Sequence, residues 1–280
     1  MKFSVFTVST PDWTPEQTVQ KLSGQGWDGV EWRVADQQAD SEIGFWSGNR
    51  ATLPLENLEE HLEVVIDSTR NAQLEFVGLG GYQVCDDYAG LERMLRAASR
   101  AGARHIRVKP PTFRPGHYRE QLHAARGNFE WISDRARHHQ VKALVELHQD
   151  TIISSPSAAI RVLDGLNAND VGVIHDIGNA VIEGHEGFLS GLEILGEYLA
   201  HVHVKNAVWK PNGRKPDGAA IWKPTWVPLK SGQVDIRYYF ECLKSIGYDD
   251  WVSSEDFSTE KALEDRLLDN LEYLKNVAEL

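Results

Sequence analysis

Glu146, Asp176, His203 and Glu255 each sit at the end of a short apolar run, in KALVELH, VGVIHDIGN, LAHVHVKNA and WVSSED. Two glutamates, an aspartate and an imidazole make a hard, oxygen-rich donor set. Such a set suits Mn²⁺, Mg²⁺ or Co²⁺, whereas thiolates favour softer ions. The four residues lie far apart in the chain, so any shared chemistry needs a fold that gathers strand ends. A barrel of parallel strands does this, because the C-terminal strand ends share one mouth.

Alternation along a strand tells which residues share a face. Val202 and Val204 face one way, toward surrounding helices, and this turns His201, His203 and Lys205 inward. By the same parity Glu146 points inward with Leu144 and His148, Asp176 with Gly172 and Ile174, and Glu255 with Ser253 and Trp251. Two further strands turn Glu31 and Arg33, then Arg107 and Lys109, to the inside. Burying so many ionisable groups is unfavourable unless they pair or hold a metal. Four carboxylates would be balanced by Arg33, Arg107, Lys109, Lys205 and one divalent ion. Glu31 and Arg107 lie deeper and read as structural ion-pair members. His105, His117, His123, His138 and His139 read as surface or packing residues, and His175 should touch a helix. His201, one pleat below His203, is the alternative ligand.

The strands that carry these residues are expected near 2–9, 29–34, 74–80, 105–110, 142–148, 171–178, 200–206 and 251–255. Helical patterns alternate with them near 14–24, 56–72, 87–101, 116–139, 155–166, 187–197, 235–246 and 259–278. Thr14-Pro15, Ser155-Pro156, Asp235 and Ser258 or Thr259 offer helix caps, and Gly24, Gly26, Gly102 and Gly247 offer stops. Eight repeats of about 35 residues favour a single-domain (β/α)₈ barrel over residues 1–280. No GxGxxG turn follows the first strand, which argues against an open dinucleotide-binding sheet. Segments 35–55 and 207–232 interrupt the rhythm, follow strands, and are expected as long loops over the mouth.

Composition limits the partners. With 29 Lys and Arg against 41 Asp and Glu, the formal net charge is −12, which disfavours nonspecific binding to nucleic acid or anionic membrane. Cys85 and Cys242 have no zinc-finger spacing, and a reducing compartment is expected. KFSVFTVS at the start reads as a strand, not a signal peptide, and no apolar run reaches membrane-spanning length. The expected location is cytoplasmic.

The chain resembles the xylose-isomerase-like barrel superfamily, the sugar phosphate isomerase and epimerase group. The resemblance rests on GWDGVEWR (26–33), on the VELH, IHDIGN and HVHVKNA strand ends, and on VPLKSGQVDIRYYFECLKSIGYDDWVSSED (227–256). It implies that Glu146, Asp176, His203 and Glu255 hold one divalent cation, often Mn²⁺, Mg²⁺ or Co²⁺. It also implies that Glu146 and Glu255 exchange the substrate proton, one from each side, through a metal-stabilised enediolate. Arg33, His148 and Lys205 match positions that contact substrate oxygens, and relatives are often homo-oligomers. The chain departs from the group at Asn179, where many members have histidine. Asparagine binds a substrate hydroxyl but cannot relay a proton. Lys109-Pro110-Pro111 is also unusual, and a cation there suggests an anionic substrate or a salt bridge to Glu146. The implied activity is isomerisation or epimerisation of a small sugar, polyol or keto-acid. The alternatives are a dehydratase or lyase acting on an inositol-like, dehydroshikimate-like or 3-keto-glycoside substrate, and a non-enzymatic binding barrel. The superfamily's DNA endonucleases need extra histidines where this chain has Gly80, Lys109 and Asn179.

Overall fold

The computed structural model describes residues 1–38, 41–183 and 186–279. Residues 39 and 40, within the segment expected at the mouth, lie outside these. The order is β1 (Lys2–Phe6), α1 (Pro15–Gln25), β2 (Gly29–Arg33), α2 (Leu58–Asn71), β3 (Glu75–Gly80) and α3 (Tyr88–Ala101). There follow β4 (His105–Val108), α4 (Tyr118–His139), β5 (Lys142–Glu146), α5 (Pro156–Leu163), β6 (Val171–Asp176), α6 (Ile177–Glu183) and α7 (Phe188–Leu195). The chain ends with β7 (Leu199–Val204), β8 (Asn206–Arg214), β9 (Ala220–Val227), α8 (Ile236–Ser245), β10 (Trp251–Ser254) and α9 (Leu263–Glu279).

β1, β10, β7, β6, β5, β4, β3 and β2 close in that order into a parallel barrel, as the alternating pattern predicts. The outward residues Val30, Ile106, Val145, Val173, Val202 and Val252 have no solvent exposure under the helices. Each contributes roughly 1.5–3 kcal/mol of apolar burial. Helix starts follow local chemistry. Thr14 and Gln17 form a reciprocal capping box at α1, and Ser155 and Asp235 cap α5 and α8. α1 stops at Gly26, in the left-handed region at φ +84°, while Gly24 lies within the helix. Among the described residues no helix is long and apolar enough to cross a membrane.

Several boundaries differ from expectation. β1 gives way at Thr7 to a 3₁₀ turn, and α6 begins directly after Asp176, where a longer strand was expected. α9 starts at Leu263, so neither Ser258 nor Thr259 caps it; Ser258 N instead donates to Asp256 Oδ1 at 2.7 Å. The largest difference is segment 207–232, which is an antiparallel ribbon of β8 and β9 paired from Asn206–Val227 outward. Its base is fixed by Asn206, whose Nδ2 donates to Leu229 O at 2.8 Å and Val234 O at 3.1 Å.

Candidate metal centre

Barrel geometry brings the four expected donors together. Glu146 and Asp176 are the last residues of β5 and β6, His203 is next to last in β7, and Glu255 directly follows β10. Asp176 and Ser253 both lie in register with His203. One ligand atom from each of Glu146, Asp176, His203 and Glu255 lies within 4.8 Å of all the others. All four residues are buried. His203 Nδ1 is 3.3 Å from Glu146 Oε1 and 3.5 Å from Glu255 Oε2, and its Nε2 is 2.8 Å from Glu31 Oε2.

Two cations meet these carboxylates. Lys205 donates to Glu255 Oε2 at 2.5 Å, and its Nζ also lies 2.5 Å from Asp176 Oδ2. Arg107 Nε lies 3.1 Å from Glu146 Oε2. Burial opposes ionisation of Glu146 and Glu255, but Arg107 and His203 for the first and Lys205 for the second hold them below the usual carboxylate range. Asp176 is the exception. Burial, with Glu255 and Glu146 nearby, pushes it up to about 8 despite Lys205. Its Oδ2 has no aligned hydrogen bond, while Oδ1 accepts from Asn179 N at 2.9 Å.

This donor set fits a divalent ion. Three carboxylates and an imidazole converge here, and in the metal-free chain they are accommodated by Lys205, Arg107 and by protons on Asp176 and His203. An ion of charge two held by Glu146, Asp176, His203 and Glu255 would take the place of those protons. Glu31 behind His203 would offset the remaining positive charge.

Above the donors is a cavity of about 310 Å³, walled by Trp46, Tyr82, Trp226 and Phe257. Glu146, Glu255, His148, Asn179 and Lys205 line it, as does Arg107. Burial lowers the His148 pKa, and the ring's Nδ1–H donates to Gln149 O at 2.9 Å, leaving Nε2 as an acceptor. Asn179 Nδ2 donates to Leu147 O at 3.0 Å, and its buried Oδ1 has no hydrogen-bond partner among the described residues.

Arg33 and Lys109 are not among the lining residues. Arg33 donates to Trp46 O at 2.9 Å and Tyr82 Oη at 3.2 Å, so it braces two walls rather than facing the cavity. Lys109 lies beyond the end of β4, where its backbone pairs with Gln83 and Cys85 across an isolated bridge to Val84. Lys109→Met should therefore leave KM unchanged for acidic and neutral substrates alike. A KM rise confined to acidic compounds would place the Lys109 ammonium at the substrate.

The aromatic walls were not legible as such. Tyr82 and Phe257 lie past strand ends, where alternation no longer assigns a face. His105, expected at the surface or in packing, is buried inside the barrel with Nε2 3.4 Å from Glu31 Oε1. Its parity with Arg107 is the signal. His175 meets helix α8 as expected, 2.9 Å from Tyr239 Oη.

A family model described as xylose isomerase-like TIM barrel matches residues 19–277. The chain belongs to this family. Among solved structures, this xylose isomerase-like barrel is similar to apo 3-keto-D-glucoside 4-epimerase YcjR from E. coli, with 16% identity over 99% of each chain and a TM-score of 0.74. It is also similar to the IOLI protein with a bound zinc atom, at 18% identity over 99% of this chain and 98% of that one, TM-score 0.75. The probable 3-DHS dehydratase AsbF from Bacillus anthracis gives 19% identity over 99% of each chain, TM-score 0.70. At these identities the likeness carries the fold. No curated protein matches this chain in sequence.

Proposed function

We propose that this protein is a divalent-metal-dependent isomerase or epimerase of a small neutral sugar or polyol, acting by proton transfer at the carbon beside a carbonyl. The observation that carries this reading is the pair Glu146 and Glu255. Both line one cavity, both are held ionised, and they come from strands three positions apart in the closed ring. Glu146, Asp176, His203 and Glu255 would hold the ion, which when bound supplies Lewis-acid polarisation of the carbonyl. Each glutamate can take the proton from its own side or return it, which inverts a carbon or moves the carbonyl along the chain. Lys205 and Arg107 orient the two carboxylates.

The walls favour a polyhydroxylated molecule with an apolar face. Trp226 and Phe257 are at the cavity with Trp46, while Asn179 Oδ1 and His148 Nε2 offer acceptors for hydroxyls. The charge balance of a metal-loaded site is met without a substrate carboxylate, so a neutral sugar fits better than a keto-acid. A dehydratase needs an acid at the leaving group, and neutral His148 already commits its proton to Gln149.

The test is incubation of the Mn²⁺-loaded protein with a panel of ketoses and keto-glycosides in D₂O. Deuterium appearing beside the carbonyl, together with an epimer or isomer, is the expected result. An unsaturated product with loss of water would transfer the protein to the lyase reading. Product formed without deuterium uptake from D₂O would indicate hydride shift instead.

A further inference from the structure

Glu31 is wholly buried below His203, and the proton transfer above makes no use of it. Three imidazoles converge on its carboxylate. Oε2 accepts from His203 Nε2 at 2.8 Å, His201 Nε2 lies 3.4 Å from the same oxygen, and His105 Nε2 lies 3.4 Å from Oε1. His201 Nε2 is also 2.9 Å from Ser253 Oγ, which is itself 2.6 Å from Ser4 Oγ. A deeply buried carboxylate is unfavourable unless donors surround it, and these rings supply them.

The backbone makes room for this arrangement. Glu31, Gly78 and His105 lie in register on β2, β3 and β4. A Cβ at Gly78 would come within 2.4 Å of His105 Nε2, so only glycine lets that ring turn inward. A Cβ at Gly80 would come within 2.3 Å of the Phe6 ring, and Phe6 stacks on His203 with centroids 5.4 Å apart at 23°. The His203 ring is thus held on its face by Phe6 and at Nε2 by Glu31.

We propose that Glu31 is a positioning residue that fixes His203 with Nε2–H toward itself and Nδ1 toward Glu146 and Glu255, and that His105 and His201 hold Glu31 in place. This rests on the reading that His203 ligates the ion. An imidazole with a fixed donor on one nitrogen presents the other in a set direction and tautomer. Glu31→Gln keeps an oxygen that accepts the Nε2–H, whereas Glu31→Leu removes it, which separates orientation from charge.

The experiment is calorimetric titration of Mn²⁺ into wild type, Glu31→Gln and Glu31→Leu. It is paired with ¹⁵N NMR of the histidines in the Zn²⁺-loaded proteins, and with melting in EDTA to check folding. Glu31→Leu should bind Mn²⁺ about 10–100-fold more weakly. Glu31→Gln should recover most of that loss and keep the wild-type pattern of a metal-bound Nδ1 and protonated Nε2 at His203. Gly78→Ala, which displaces His105 without altering Glu31, should also weaken Mn²⁺ binding, and it carries the test if Glu31→Leu fails to fold. Wild-type affinity in a folded Glu31→Leu, or in Gly78→Ala when that variant carries the test, overturns the proposal. So does a loss in Glu31→Gln equal to that in Glu31→Leu, or a His203 bound through Nε2. A wild-type chain that binds neither Mn²⁺ nor Zn²⁺ overturns the metal reading itself and this proposal with it, a result distinct from variants that bind like a competent wild type.

Discussion

Glu255→Gln should lower turnover by at least about 10²-fold while the divalent ion still binds. The amide keeps an oxygen donor and nearly the same volume beside His203 and Lys205, but it cannot accept a proton at neutral pH. Lys205 then loses one carboxylate and retains Asp176, 2.5 Å away. The measurement is kcat at saturating Mn²⁺, with metal content determined on the same sample so that lost occupancy is not read as lost chemistry. A fully loaded variant within tenfold of wild type would remove Glu255 from proton transfer.

Affinity for the ion should rise at least about 10²-fold between pH 6 and pH 8. In the metal-free chain burial raises Asp176 to about 8, with Glu255 and Glu146 adding to the effect and Lys205 opposing it. Burial would lower His203, but Glu31, Glu146 and Glu255 hold its pKa well above the ordinary value. An incoming ion must displace these protons, and each displaced proton contributes about a tenfold change per pH unit. Titration in buffers of different ionisation enthalpy counts the protons released. Stability of the metal-free chain runs the opposite way. Asp176 binds a proton more tightly folded than unfolded, so its contribution is lost as pH rises from about 4 toward 8. His203, also raised, contributes stability below its unfolded pKa and loses it at higher pH. Burial lowers His175 and His201, whose contributions run the other way below pH 6.5, so the metal-free chain should melt at a lower temperature at pH 8 than at pH 6.5, and added Mn²⁺ should close the gap. An affinity flat across this range would count against Asp176 and His203 as protonated ligands.

The barrel and the gathering of Glu146, Asp176, His203 and Glu255 at its mouth were legible because both depend on short-range periodicity. Val202 and Val204 against His201, His203 and Lys205 assign faces without any knowledge of partners, and strand ends place Glu146 and Asp176 at the mouth. Alternation fails where the backbone leaves the strand. The charged, proline-containing stretch 207–227 disguised a ribbon, because Pro211, Pro224 and several lysines interrupt the apolar pattern of β8 and β9. Lys109 lies one residue past β4, in an isolated parallel bridge to Val84, and is not among the residues lining the cavity. Glu31 was legible as an inward charge, but its partners were not, since a histidine cluster drawn from β4 and β7 is set by register across the barrel.

The ribbon begins one residue after Lys205 and returns through Trp226 to Val227, opposite Asn206. Its base is therefore tied to the cavity, while its tip at 215–219 is exposed. Antiparallel pairing counts outward from the base, so residues added or deleted in pairs at the tip leave Trp226 where it is. The molecule thus has an exchangeable part attached to an invariant one. Over generations, length changes would accumulate at that tip without disturbing the cavity wall at Trp226. A directed-evolution library confined to 211–222 would vary the ribbon's reach while sparing the cavity and the fold.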